Sequence, residues 1–393
     1  MATRTSTTRT ISALRAPSAD ISAASAMPPF SLDDLASAYF ACRKSKRNSI
    51  NALQFEINLE RNLTELRDQL LNGTYTIGQT ICFVITRPKP REVWAGQFRD
   101  RIVHHLLYNH LAPIFEPTFI ADSCACIPGR GTLYAARRLE HKTRSATQNW
   151  LQPCYYLKCD LANFFVSIDK RILRHLLLRR IAHPWWRALA DKVLMHDPRQ
   201  NNVLQSSPHK MALVPEHKRL SSQPSHLGLP IGNLSSQFFA NIYLNELDQF
   251  VKHTLRARHY IRYVDDFVIL HPDAHWLNSA RHRIEHLLAE HLHQRLNPTK
   301  TIIQPVARGM DFVGQVIKPW CRTTRKRTRN EAITRVQQIP AAHLRETANS
   351  YFGLLRQATH SHQNRVKLAK ALMLRGKAVS VDLTKTYKGN THG

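Results

Sequence analysis

His259-Tyr-Ile-Arg-Tyr-Val-Asp-Asp-Phe-Val-Ile-Leu-His271 is the stretch around which the remaining residues are best read. Two β-favouring apolar runs, Tyr260 to Val264 and Phe267 to Leu270, flank a carboxylate pair, so the pattern predicts a hairpin with Asp265 and Asp266 at its tip. Adjacent carboxylates on a tight turn repel each other, and something positive should face them. In so basic a chain a divalent metal is a better candidate than a lone lysine, because phosphoryl-transfer sites combine a few carboxylates with the substrate's own phosphates. Taken alone, an Asp-Asp turn reads better as a solvated surface turn. Here apolar residues press in from both sides, and a third acid occurs upstream in a matching setting.

That acid is Asp160, within Cys154-Tyr-Tyr-Leu-Lys-Cys-Asp-Leu-Ala-Asn-Phe-Phe-Val-Ser-Ile-Asp169. A Tyr- and Leu-rich strand runs into it, which places the carboxylate at a strand end. The combination of a strand-end Asp with a Tyr-x-Asp-Asp hairpin resembles the palm of reverse transcriptases. The resemblance implies that Asp160, Asp265 and Asp266 are catalytic and that, with Leu161, they hold the metal.

Over 393 residues, 56 Lys and Arg stand against 28 Asp and Glu, a formal net charge of +28. A length prior of roughly 150 residues per domain suggests two or three units. The acidic partner must be a separate molecule, and a polyanion bound with strong salt dependence is the natural one. A hydrophobic content of 43% argues for a globular core rather than a ribosomal-type basic tail. The seven cysteines show no repeated Cys-x-x-Cys frame, and Cys124-Ala-Cys126 lacks a second ligand pair, which points to a reduced, cytoplasmic protein. No apolar run approaches the ~18 residues of a membrane span.

Residues 1–28, rich in Ser, Thr, Ala and Arg, read as a disordered basic tail, although a transit peptide has a similar composition. Ser31 with Asp34 predicts a helix start. A second helix is expected to carry Phe55, Leu59, Leu63, Leu66 and Leu70 as far as Asn72-Gly73. A β-like run from Ile77 to Ile85 leads into the stiff basic segment Arg87–Arg101, and a helix carrying Ile102, Val103, Leu106, Leu107 and Ile114 on one face then ends around Pro113 and Pro117. By resemblance the basic segment belongs to the fingers, with Arg91 at the incoming triphosphate and Arg99 and Arg101 at the template; a solvated basic loop is the alternative. Ile127-Pro-Gly-Arg-Gly131 resembles the turn that approaches the template backbone, through Gly129 and Arg130. Phe165 stands where the family carries the aromatic that blocks a ribose 2′-hydroxyl, so deoxynucleotides are implied unless it is simply a core residue. The polar stretch 197–227 reads as an ordered loop or insertion.

His226-Leu-Gly-Leu-Pro-Ile-Gly-Asn-Leu-Ser-Ser-Gln-Phe-Phe-Ala-Asn-Ile-Tyr-Leu-Asn245 narrows the family. Common reverse transcriptases have Gln-Gly-x-x-x-Ser-Pro here. Ile231 replaces the Gln and Gln237 the Pro, which resembles the reverse transcriptases of diversity-generating retroelements over about residues 31–375. Gly232 permits close backbone approach, and Ile231 cannot make the hydrogen bonds of a Gln, so polar checking of the nascent pair is reduced. Selective error opposite adenine is implied by the resemblance alone. Further on, Lys300 matches a lysine near the leaving pyrophosphate, with a surface lysine as the alternative, and 309–317 resembles the hairpin that grips the primer.

The expected architecture is an α/β (α+β) right-hand polymerase: tail 1–28, fingers and palm 29–318, helical thumb 319–378 and tail 379–393. The implied cofactor is Mg²⁺, as two ions that Mn²⁺ can replace. The implied partners are template RNA, cDNA or primer, deoxynucleoside triphosphates and a small basic helical accessory protein. The rivals are a retron, phage-defence or group II intron reverse transcriptase and a non-catalytic RNA-binding protein, against which the three aspartates speak.

Overall fold

The computed structural model describes residues 28–44, 49–87 and 89–387; of the expected basic tail only Pro28 falls within them. Three helices open the fold: α1 (Leu32–Arg43), α2 (Ile50–Glu56) and α3 (Leu59–Leu71). Ser31 and Asp34 form the expected reciprocal cap on α1. The single second helix is in fact two, because Asn58 leaves helical geometry between α2 and α3.

Strands β1 (Thr80–Ile85) and β2 (Arg91–Ala95) follow, then α4 (Phe98–Phe115) and α5 (Thr132–Ala146). Helix α4 ends at Phe115, between Pro113 and Pro117 as expected. Pro113 has no N–H to give the Asn109 carbonyl, and the Glu116 N–H, which donates to Ala112 O, still closes the turn after it. Next come β3 (Tyr155–Asp160), α6 (Phe164–Ser167), α7 (Lys170–Leu178), α8 (Pro184–Met195), β4 (Asn202–Leu204) and α9 (Pro208–Ala212). Strand β4 pairs in parallel with β1, giving a three-stranded sheet in the order β2-β1-β4. The stretch 197–227 therefore carries regular structure, as expected of an ordered insertion, and its Asn202–Leu204 joins the sheet of β1 and β2.

Helix α10 (Leu234–Gln249), the hairpin β5 (His259–Tyr263) and β6 (Asp266–His271), α11 (Ala274–Leu292) and β7 (Ile302–Pro305) complete the central unit. Its sheet has the order β5-β6-β3-β7, antiparallel throughout. Side chains alternate strictly between its faces. Leu157, Cys159, Tyr260, Phe267 and Ile269 enter the main core with α10 and α11, while Tyr156, Ile261, Val268 and Leu270 join Ala135, Ala136 and Leu139 of α5 in a second core. With both faces covered, the strands are nearly continuously apolar, and polar residues within them are conspicuous.

A small sheet of β8 (Met310–Phe312), β9 (Gln315–Lys318) and β10 (Cys321–Thr324) precedes helices α12 (Lys326–Gln338), α13 (Ala341–Leu355) and α14 (His362–Met373), which share their own core. Strand β10 thus sits in the sheet, and the helices start seven residues after 319. The buried Arg322 ties β10 to α5 through Glu140 at 2.7 Å and to the carbonyl of Gln357 at 2.7 Å. Of the expected C-terminal tail, 379–387 folds back on the helices: Val379 and Leu383 join their core and Thr386 N donates to Asn349 Oδ1 at 2.8 Å. Residues 388–393 lie outside the described residues. Among the described residues no helix is long and apolar enough to cross a membrane.

Candidate active site

Asp160 ends β3 and Asp266 begins β6, and the two are directly opposite each other in the ladder. Directly opposed residues share a face, so both carboxylates stand on the α5 side of the sheet at one end. Asp265 lies in the two-residue connection between β5 and β6, whose other member, Val264, has φ 56. Leu161 N donates to Asp265 O at 3.2 Å, which fastens the hairpin tip to the residue after Asp160. The three aspartates and Leu161 are therefore brought together, as the sequence predicts.

Like charges facing each other in a half-buried ladder are unfavourable. Burial first, and then the charge of Asp160, pushes Asp265 up to about 6. Burial likewise pushes Asp266 up to about 7, with Asp160 and Asp265 adding to it against the opposing pull of Lys158. Asp266 Oδ1 is buried with no hydrogen-bond partner. Its other oxygen lies 3.5 Å from Lys158 Nζ, and Lys300 Nζ donates to Asp160 Oδ1 at 2.5 Å. Among the described residues no three His, Cys, Asp or Glu side chains already stand as a metal-binding cluster. An orphaned carboxylate oxygen and two carboxyls held above their usual range nonetheless fit a divalent cation, with Asp160 exchanging Lys300 for it and further ligands coming from substrate oxygens.

A clamp beneath the hairpin escaped the sequence reading. Arg262, inside β5, is buried and pairs with Asp248 of α10 through Nε at 2.8 Å and Nη2 at 2.6 Å. Its Nη1 donates to the Val264 carbonyl at 2.9 Å, and Tyr260 Oη donates to Asp248 Oδ1 at 2.6 Å. A charged residue at an inward position of an apolar strand was the available signal. Lys158 was legible in the same way, two residues before Asp160 and so on the same face. Asn297, whose backbone N–H donates to Asp160 O at 2.7 Å, had no such signal.

The turn 229–233 ties Phe165, Ile231 and Gly232, three of the expected nucleotide residues, to β2. Leu229 N donates to Phe165 O at 2.8 Å, Trp94 N to Ile231 O at 2.7 Å and Gly96 N to Asn233 Oδ1 at 3.2 Å, so α6, the turn and β2 are stitched together. Gly232 has φ 130, and a Cβ there would meet Val93 Cγ1 at 2.9 Å and Trp94 O at 3.0 Å. The close approach this glycine permits in the structure is to β2 itself. Half-buried Phe165 leans on Phe164 at 5.3 Å between centroids and packs against the main core; Gln237 is exposed in the first turn of α10. Arg91 is exposed at the start of β2, and its charge reaches Asp265. Lys300 first, then burial, then Lys218 and Arg327, hold Lys89 below the usual lysine value, so the turn before β7, the 197–227 segment and α12 all direct cations toward the same mouth.

The expected template residues are engaged within the protein. Arg99 donates to the Gln69 side chain and lies over the Tyr75 ring at 5.1 Å. Arg101 Nε donates to Gly96 O at 2.9 Å, and Arg130 Nη1 to Ile120 O and Ser123 O at 2.9 and 3.1 Å. These arginines brace the segments that carry them. Gly129, at φ 75, is open, with nothing within 4 Å of an added Cβ.

Residues 88–317 match the family model described as reverse transcriptase (RNA-dependent DNA polymerase). The chain is 25% identical over 342 residues to Protein YkfC of Escherichia coli (strain K12), covering 78% of this chain and 83% of that protein. It is 24% identical over 207 residues to an uncharacterized 91 kDa protein in cob intron of Schizosaccharomyces pombe, covering 53% of this chain and 22% of that protein. Among solved structures, telomerase from Candida albicans with a TWJ fragment of telomeric RNA aligns over 76% of this chain and 53% of that one, at 14% identity and a TM-score of 0.42.

Proposed function

The chain belongs to the reverse transcriptase (RNA-dependent DNA polymerase) family, and from that premise we propose that Asp160, Asp265 and Asp266 are its catalytic carboxylates for RNA-templated DNA synthesis. The observation that carries this assignment is the cross-strand pairing of Asp160 with Asp266 at the sheet end that also holds Asp265, with Asp266 Oδ1 left unpartnered. These residues and Leu161 would hold two Mg²⁺, or Mn²⁺ in their place. When bound, the metal supplies a lowered pKa at the primer 3′-hydroxyl and neutralises charge on the triphosphate. Arg91 and Lys300 bind that triphosphate. Phe165 blocks a 2′-hydroxyl, and Ile231 and Gly232 with Gln237 border the nascent pair. Helices α12–α14 form the thumb along the template–primer duplex.

Within the family, the Ile231–Gln237 motif supports a low-fidelity, adenine-mutagenic enzyme that copies a template-repeat RNA for retrohoming, in the cytoplasm and with a small basic helical accessory protein. The match to a protein in cob intron favours a second reading, an intron-type enzyme. Sequencing cDNA made on a defined RNA template separates them. The first reading expects errors concentrated opposite adenine and reduced about tenfold by Ile231→Gln, equivalent to about 1.4 kcal/mol of discrimination. A wild type as accurate opposite adenine as elsewhere gives the assignment to the intron or defence type.

A further inference from the structure

An open groove of about 910 Å³ runs along α5, outside the aspartate site. Tyr134, Arg137, His141 and Ser145 form one wall, and Arg258 and His259, where β5 begins, form the other. Positions 134, 137, 141 and 145 lie on one helical face spanning about 16 Å. Residue 259 is at the opposite end of β5 from the hairpin tip, about 20 Å from Asp265 along the strand. That end of the groove therefore lies beyond the reach of the incoming nucleotide.

Two of its four fixed cations are uncommitted. Arg138 and Lys142 are shared with buried Asp122, but among the described residues neither the Arg137 nor the Arg258 guanidinium has a hydrogen-bond or ion-pair partner. Both are exposed. At its mouth the groove meets Gly129 and Gly131, and a Cβ at either would touch nothing within 4 Å, so a strand can pass the turn without obstruction. Tyr134 adds a ring at that end, with the Arg138 guanidinium 5.8 Å from its centroid. Cations along a groove beside an aromatic are the elements that hold a single-stranded backbone without reading its sequence.

We propose that the α5 groove is a second RNA track, which holds single-stranded RNA continuous with the template as it passes the 127–131 turn. The proposal rests on the reading of this chain as an RNA-templated polymerase. RNA is favoured over an acidic protein because the groove opens at a turn beside a site that must itself receive an RNA strand.

The test uses the full chain and two primed RNA templates, one ending a few nucleotides beyond the templating base and one carrying an unstructured polycytidine extension. The expected result is that the extension tightens wild-type binding about tenfold at low salt, and that Arg137→Gln/Arg258→Gln abolishes the gain. The same variant should lower the log–log salt slope on the extended template by about 1.4, at about 0.7 per neutralised phosphate. Incorporation on the short template should be unchanged, which also shows that the variant folds. A wild type that gains nothing from the extension, a variant that keeps the gain, or displacement by polyglutamate but not by polycytidine would each overturn the track. Failure to extend the short template would instead count against the polymerase reading.

Discussion

Val264 holds the hairpin tip at φ 56, a conformation β-branched residues avoid at a cost of about 1–3 kcal/mol. Arg262 meets that cost by donating to the Val264 carbonyl while its charge is closed off by Asp248. Arg262→Met should lower stability by about 3–5 kcal/mol in denaturant titration, because Asp248 is left buried without its counter-ion. It should also slow single-turnover incorporation more than tenfold at an unchanged nucleotide KM, since the tip that carries Asp265 loses its anchor. The aspartates themselves predict a pH effect of opposite sign. With Asp265 near 6 and Asp266 near 7 against about 3.9 unfolded, the folded chain holds more protons between about pH 4 and 7. Their contribution to stability is therefore present at pH 4 and is lost as the pH rises through 6 and 7. In chelator, Asp265→Asn/Asp266→Asn should exceed wild type at pH 8 by on the order of 1–3 kcal/mol, less than the full shifts because the pair is part-exposed, and should match it near pH 4. Equal denaturation midpoints at both pH values would contradict the account. The three acids were legible because a carboxylate set among apolar strand residues is costly to bury unless a cation or a metal faces it. Arg262 was not singled out, because its partner lies on another element.

At the scale of elements, the turn 229–233 decides where β2 and its Arg91 sit. Gly232→Ala would force the turn away from Val93 and Trp94. The nucleotide KM should rise about tenfold as β2 shifts, with a smaller change in melting temperature; an unchanged KM would mean that β2 does not position the triphosphate. The sequence exposed the need for a glycine but not its neighbour, because the neighbour lies more than a hundred residues upstream. Strand β4 was hidden for the same reason: three residues, Asn202–Leu204, carry no periodicity, and only pairing with β1 makes them a strand. Local signals served better. The Ser31 cap and the β5–β6 hairpin are both set by residues a few positions apart, whereas the break at Asn58 interrupts an apolar spacing that continues across it.

Across the whole molecule the formal charge of +28 is directed rather than uniform. Cations from separate elements face the three aspartates, and a second basic surface follows α5 from the turn at 127–131. That division suits a chain that must bind a long polyanion and yet keep one small negatively charged centre for chemistry. Arg99, Arg101 and Arg130 show why basic residues are hard to assign from sequence: the same side chain serves equally as a brace or as a phosphate contact, and only its bonding tells which. The central claim is that Asp160, Asp265 and Asp266 form the polymerising centre. The direct measurement is single-nucleotide incorporation onto a DNA primer annealed to RNA in Mg²⁺, comparing wild type with Asp265→Ala/Asp266→Ala, with RNA affinity measured on the same samples. Incorporation should vanish in the variant while RNA affinity stays close to wild type; incorporation persisting in the variant would contradict the assignment.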